Sequence, residues 1–291
     1  MKILVTGGNG FIGKYLLKEF IDNKFEVYTI GLNKSSKKNH FQCDLFNEDK
    51  ICKILKEINP THLIHLAWNT EHGKYWSSFL NFNWIRISSL LVNKFYENGG
   101  DYALVAGTCA EYSWKNNILN ESSELNSNSL YGLSKDFTRK VIQNFTDLHK
   151  TKFCWVRIFF PYGYGEHKSR LIPSLIDVVK KNKRPFGVNH DHVRDYIHVS
   201  DVAGAINHLI KNDFCGVYNI SSSEGVTIEE IVNKVSNFFN YNPTNILKLK
   251  SKRNNDPKSI IGDNKLLLST GWNPKIDFDY GLKIFIKEYL R

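Results

Sequence analysis

The sequence predicts a doubly wound α/β protein, a parallel sheet covered by helices on both faces. Three observations carry this. Short apolar runs alternate with amphipathic stretches through residues 1–160. The runs are apolar on both faces, as strands must be when helices bury both sides of a sheet. A glycine-rich turn joins the first run to the first amphipathic stretch.

The elements follow in order. Lys2–Thr6 reads as a buried strand, and Gly10–Phe20 as a helix with Phe11, Ile12, Leu16, Leu17 and Phe20 apolar. Glu26–Gly31 is a second strand and Phe41–Asp44 a short third. Ile51, Ile54, Leu55 and Ile58 fall on one face of a helix over Glu48–Ile58. Thr61–Ala67 is a strand, Ser77–Tyr96 a helix, Tyr102–Ala106 a strand, Leu130–His149 a helix and Phe153–Phe159 a sixth strand. After Pro161 the rhythm loosens. A compact loop at Gly163–Ser169 leads to a helix at Leu171–Lys181, and strand-like pieces at Val193–Val199 and Val217–Ile220 flank a helix at Ser200–Ile210. Thr227 reads as an N-cap with Glu229 and Glu230 in the first turn. A turn at Gly271 and Trp272 precedes a last helix at Tyr280–Tyr289. The expected division is a first domain at 1–160 and a small interleaved second one at 161–291, with 192–222 returning to the first.

Composition narrows the class. The chain has 291 residues, 42% of them hydrophobic, and a net charge of +10. No apolar run approaches the ~20 residues of a membrane span, and the N-terminal apolar run, about four residues long, is no signal peptide. Cys43, Cys52, Cys109, Cys154 and Cys215 are scattered and never spaced C-x-x-C, which argues against a disulfide framework or zinc ribbon and for a reducing cytoplasm. The positive charge comes from 31 Lys against 8 Arg, and the Lys are dispersed. Nucleic-acid surfaces favour clustered Arg, so an anionic small substrate is the better use of this field.

Three motifs carry chemistry. Thr6-Gly7-Gly8-Asn9-Gly10-Phe11-Ile12-Gly13 follows the first strand and opens a helix. Gly7 permits the tight turn, Gly10 lets backbone approach a pyrophosphate at the helix N-terminus, and Gly13 lets the helix pack closely on the sheet. Tyr131 and Lys135 stand four residues apart at the start of a helix and share a face. A nearby ammonium favours the phenolate and would lower a tyrosine pKa from its usual ~10, making a usable proton donor and acceptor. Thr108 ends the fifth strand, at the carboxyl edge where open α/β sheets bind ligands, and can hydrogen-bond a substrate oxygen. Metal binding is not expected: His62 and His65 are three apart on a strand and point to opposite faces. Arg170 and Arg194 suit a substrate diphosphate, because guanidinium forks match phosphate oxygens.

With these motifs the chain resembles an extended short-chain dehydrogenase/reductase of the nucleotide-sugar epimerase/dehydratase/reductase group over nearly its whole length. Asp44-Leu45, His65-Leu66-Ala67, Asn83, Arg194-Asp195-Tyr196-Ile197-His198-Val199 and Gly271-Trp272-Asn273-Pro274 match further segments of that family. The resemblance implies a Rossmann sheet, a nicotinamide cofactor and a nucleoside-diphosphate sugar substrate. It also implies a homodimer formed through the helices at roughly 77–97 and 130–149. It assigns Thr108, Tyr131 and Lys135 as catalytic. Thr6, Gly7, Gly10, Phe11, Ile12, Gly13, Asn33, Lys34, Asp44, Leu45, Leu66, Ala67 and Phe159, with Tyr131 and Lys135, would face the cofactor. Thr108, Tyr131, Phe160, Arg170 and Arg194 would face the substrate.

Departures from the family's patterns narrow the reaction. Its 4,6-dehydratases follow the Thr with an Asp-Glu pair, where this chain has Cys109-Ala110. Its synthases that epimerise at C3 and C5 carry a Cys and a His where this chain has Ala110 and Lys180, and Cys109 reads as packing. Reduction of a 4-keto-6-deoxy sugar and 4-epimerisation remain. No acid stands near residue 33 to hold a ribose, and Asn33-Lys34 favour NADP(H), with NAD(H) the alternative, so the reductase leads. Lys37 and Lys38 could add to that preference. Arg157-Ile158-Phe159 is followed by Phe160 rather than the Asn common in 4-epimerases. In the expected reaction hydride reaches C4 of the keto sugar, Tyr131 protonates its oxygen, Lys135 lowers the Tyr pKa and holds the nicotinamide ribose, and Thr108 orients the carbonyl. A non-catalytic dinucleotide-binding protein is the remaining alternative.

Overall fold

The computed structural model describes all residues except 24, 36–38, 250 and 252–255; Lys37 and Lys38 therefore lie outside the described residues. In chain order the first elements are β1 (Lys2–Thr6), α1 (Phe11–Asp22), β2 (Glu26–Gly31), β3 (His40–Gln42), α2 (Glu48–Ile58) and β4 (His62–His65). Then come α3 (Leu80–Glu97), β5 (Tyr102–Thr108), β6 (Ile118–Leu119), α4 (Leu130–His149), β7 (Lys152–Ile158), β8 (Phe160–Tyr162) and α5 (Leu171–Val179). The rest comprises β9 (Val193–Arg194), β10 (Tyr196–His198), α6 (Val199–Lys211), β11 (Gly216–Ile220), β12 (Val226–Thr227), α7 (Ile228–Phe238), α8 (Thr244–Leu247), β13 (Ser259–Gly262), α9 (Lys265–Leu268) and α10 (Phe278–Tyr289).

Among the described residues the central sheet has seven strands in the order β11-β7-β5-β4-β1-β2-β3. Every pairing in it is parallel. The order reverses between β1 and β4, and that switch point opens a crevice at the carboxyl ends of the strands. One face buries Ile3, Val5 and Leu104 against α1 and α6. The other buries Leu4, Leu63 and Val105 against α2 and α3. Beyond the sheet, α5, α7 and α10 pack into a third core around Leu175, Ile231 and Phe285.

The second half departs from expectation at Val193–Val199. That run is two short strands in two sheets: β9 pairs with β12 and β13, and β10 pairs with β8. Asp195 sits at the break, wholly buried, and accepts hydrogen bonds from the backbone of Ser222, Ser223 and Gly262. Likewise the helix expected from Ser77 is a single 3-10 turn at Tyr75–Ser77 followed by α3 from Leu80. Asn81 causes the break: its amide donates to the carbonyls of Tyr75 and Ser78 at 2.8 and 2.9 Å. No described helix is long and apolar enough to cross a membrane.

Candidate active site

The switch-point crevice is a continuous cleft of about 2230 Å³. A single ligand site of ordinary size holds roughly 300–1,000 Å³, so there is room for two nucleotide-sized molecules. Gly7, Gly10, Phe11, Ile12 and Gly13 form its floor. Gly7 has φ +74°, and a Cβ there would stand 2.8 Å from the Ala67 nitrogen; a Cβ on Gly13 would collide with the Gly7 carbonyl oxygen. These glycines make a cradle that side chains would fill. Above it α1 begins with no side-chain cap and no acid in its first turn, so its leading N–H groups offer an anion site. That cradle fits a dinucleotide pyrophosphate.

Asn33, Asp44, Leu45, Leu66, Ala67 and Phe159 line the same cleft. Two residues expected there do not. Thr6 is fully buried, its hydroxyl 2.6 Å from His65 Nδ1, while His65 Nε2 lies 2.8 Å from the Ser88 hydroxyl. Thr6 thus belongs to a buried chain from β1 to α3 beneath the cleft. Burial pushes the His65 imidazole down to about 3, so it is neutral there. Lys34 is exposed and not part of the cleft lining; the Asn33 carbonyl before it accepts a hydrogen bond from His40 Nε2 at 2.8 Å.

Thr108, Tyr131 and Lys135 converge on the cleft from β5 and the first turns of α4. Ser129 caps α4 by accepting from the Gly132 N–H at 3.0 Å. The Thr108 hydroxyl accepts from the Ala110 N–H at 3.2 Å and lines the cleft together with Tyr131. Beneath Thr108 lies the fully buried Glu111. It accepts from the Thr108 N–H and the Arg157 Nε, each at 2.8 Å, and from Trp155 Nε1. The Thr108-x-x-Glu111 spacing marks the cap to the Thr108 N–H, whereas the bonds from Trp155 and Arg157 come from β7 and carry no local signal.

The expected effect of Lys135 on Tyr131 needs correction. Tyr131 is 8% exposed, boxed edge-on by Tyr75, Trp76 and Trp68 at centroid distances of 4.8, 5.9 and 6.3 Å. Burial is the largest influence on its phenol and pushes the pKa well above 10, and Lys135 is not among the main causes. The Lys135 ammonium points elsewhere, donating to the Ala106 carbonyl at 2.7 Å and facing the Trp68 ring at 3.9 Å. Burial pulls that ammonium down to about 7, with Glu111 opposing. The phenol is therefore a protonated acid at neutral pH, beside a lysine poised to titrate.

On the far side, Phe160, Arg170 and Arg194 line the cleft. Arg194 already pairs with Asp256 at 2.8 Å and donates to the Val193 carbonyl. Arg170 stands at the N-terminus of α5, which has no acid in its first turn. Sequence reasoning missed Lys183, which donates to the Ser174 hydroxyl at 3.0 Å, and Glu166, which burial lifts to about 8. Both line the cleft. Cys109 packs against Tyr112, Leu119, Phe159 and Ile260, and burial pushes its thiol up to about 12, which suits packing rather than attack. Asn83 is exposed, whereas Asn81, two positions earlier, is buried. Potential metal-ligand atoms of His62, Asp101 and Asp213 converge within 4.8 Å. The Lys152 ammonium lies 3.1 and 3.0 Å from the two carboxylates and neutralises the group from within.

Comparison with known proteins bears on this geometry. Residues 3–221 match the NAD dependent epimerase/dehydratase family. The chain is 25% identical over 312 residues to dTDP-4-dehydro-6-deoxyglucose reductase of Escherichia coli, covering 98% of this chain and 96% of that one. It is 26% identical over 299 residues to a putative UDP-glucose 4-epimerase of Methanocaldococcus jannaschii, covering 97% and 96%. Its fold superposes on the Thermus thermophilus UDP-glucose 4-epimerase, solved in complex with NAD, with a TM-score of 0.88 at 21% identity over 100% and 99% of the two chains.

Proposed function

The chain belongs to the NAD dependent epimerase/dehydratase family and is a nicotinamide-dependent enzyme of nucleotide-sugar metabolism, and we propose that it reduces a nucleoside-diphosphate 4-keto-6-deoxy sugar at C4. The observation that carries this reading is that Thr108 and Tyr131 line the same cleft as the glycine cradle, with Cys109-Ala110 offering no acid for dehydration. The length-spanning likeness to a reductase of such a sugar supports it.

When bound, the nicotinamide supplies hydride to the C4 carbonyl carbon. Tyr131 then gives its phenolic proton to the carbonyl oxygen, and Thr108 orients that oxygen by hydrogen bonding. Lys135 offers its cation to the cofactor ribose. Arg170 and Lys183 take the substrate diphosphate, and Arg194 joins them where the phosphate displaces Asp256 from its guanidinium. Residues 1–160 and 192–222 would then serve the dinucleotide and the remainder the sugar; the pairing of β11 with β7 supports that division. Exposed Phe79, Phe82, Leu133, Phe137 and Val141 on and beside α3 and α4 support a homodimer through those helices.

One observation favours a second reading. Lys34 lies outside the cleft wall, which removes the main argument for NADP(H) over NAD(H), and a tightly held NAD would suit 4-epimerisation. The experiment is a panel of CDP-, GDP-, UDP- and dTDP-4-keto-6-deoxyhexoses and the corresponding 4-hydroxy sugars with NADH or NADPH, following absorbance at the nicotinamide band and the C4 configuration of the sugar. Stoichiometric oxidation of reduced cofactor is expected, and Tyr131→Phe should lower turnover by ~10²–10⁴ with cofactor affinity nearly unchanged. Interconversion of C4 epimers without net cofactor oxidation would overturn the reductase in favour of the epimerase.

A further inference from the structure

We propose that Trp68 is a positioning residue for the Tyr131–Lys135 pair, its indole face holding the Lys135 ammonium and its edge bracing the Tyr131 ring. Trp68 follows the His65-Leu66-Ala67 segment at the carboxyl end of β4. Its ring centre lies 3.9 Å from Lys135 Nζ, and it meets Tyr131 edge-on at 74°. The ring cannot easily turn away. Trp68 Nε1 donates to Asn81 Oδ1 at 2.9 Å, and Asn81 is itself fixed by its two bonds to the carbonyls of Tyr75 and Ser78. Trp84 stacks behind it, 5.7 Å away and inclined by 24°.

An ammonium taken out of water needs partners for its three N–H groups. For Lys135, 3% exposed, the Ala106 carbonyl serves one, and the negative face of the indole is the next partner in reach. Other groups facing this ammonium are Glu111 from beneath β5, which favours the charge, and His65 from β4, which is neutral. Without the indole face the ammonium would keep one carbonyl and a distant carboxylate, and it would lose its proton at lower pH. The proposal deepens the reading above and rests on Lys135 acting there as a cation.

The test is an NMR titration of protein carrying ¹³C-labelled lysine. Exposed lysines titrate near pH ~10.4, so a Cε resonance that moves near neutrality and vanishes in Lys135→Met belongs to Lys135. Trp68→Leu is expected to lower its midpoint by about one pH unit, the scale of a desolvated cation–π contact. Trp68→Phe keeps an aromatic face and should shift it by less than half as much. Trp68→Met gives the same comparison if the leucine variant does not fold. An unshifted midpoint in Trp68→Leu or Trp68→Met, or a phenylalanine variant shifted as far as these, would overturn the proposal. The titration uses no substrate, so its outcome is independent of the reaction assigned to the cleft.

Discussion

Replacing Glu111 by Gln should destabilise the protein by about 3–5 kcal/mol, the cost of stranding a buried charge. The carboxylate is fully buried and accepts from three donors: the Thr108 N–H, the Trp155 indole and the Arg157 guanidinium. Arg157 is equally enclosed, 1% exposed, with its remaining bonds going to the Tyr112 hydroxyl and the Glu121 carbonyl. A glutamine keeps the shape but turns an NH₂ toward at least one of those donors, leaving the guanidinium uncompensated. With a urea m-value of roughly 2–3 kcal/mol/M for a chain of this size, the midpoint should fall by about 1–2 M at unchanged m. The double variant Glu111→Leu, Arg157→Met removes both charges, leaving the Thr108 and Trp155 donors unmet at ~1–3 kcal/mol each. It should therefore lose less than the two single changes summed, a coupling of about 2 kcal/mol or more. Urea unfolding followed by circular dichroism measures Glu111→Gln and the four proteins of the Glu111→Leu, Arg157→Met cycle. A single substitution costing under ~1 kcal/mol, or strict additivity in the double, would refute the argument that this pair is a closed, charge-compensated support for Thr108.

Lys135→Met should stabilise the fold near neutral pH. The folded lysine takes up its proton only near 7 while the unfolded one does so near 10.5, so the folded state bears the full penalty below pH 7 and sheds it as pH rises toward 10.5. After allowing for the lost bond to Ala106, a gain on the order of 2 kcal/mol near pH 6 that fades by pH 10 is expected in melts across that range. Gly13→Ala forces a Cβ into the Gly7 carbonyl and should weaken NADH binding by about 100-fold or more, measured calorimetrically, as a backbone cradle tolerates no such intrusion. Asn33→Asp should favour NADH over NADPH by offering the ribose hydroxyl an acceptor and repelling phosphate. Lys34→Ala should change the ratio of the two cofactors' kcat/KM by less than about fivefold, since an exposed lysine off the cleft wall contributes ~0–1 kcal/mol at most.

What could be read from the sequence was whatever the chain encodes within a few residues. The glycine turn, the six strands of the first half and the helix at Leu130–His149 depend on local periodicity and on caps such as Ser129. Thr227 was legible for the same reason, because Glu230 three residues on completes a reciprocal cap. The misreadings involve side chains that claim backbone groups, one from far away in sequence and one from close by. Val193–Val199 looks like one strand, but Asp195 is claimed by donors from 222, 223 and 262 and splits it. The helix start at Ser77 failed because the Asn81 side chain competes for backbone carbonyls, which no apolar pattern reveals.

The same distinction separates the two halves of the cleft. A pyrophosphate is bound by main-chain N–H groups at a turn, and a turn declares itself through glycine spacing, so Gly7, Gly10 and Gly13 announce their role. Around the reacting centre the decisive features are environments rather than residue types. Tyr131 and Lys135 could be found from their spacing, but their ionisation could not, because it depends on Trp68, Tyr75 and Trp76 arriving from the segment after β4 and on Glu111 arriving from below β5. The spacing predicts an ammonium that lowers a phenol, whereas the folded chain buries the phenol and turns the ammonium to a carbonyl and an indole. Burial outweighs proximity here because desolvation acts on the whole charge, while two side chains on one helix face interact only as far as their tips actually meet.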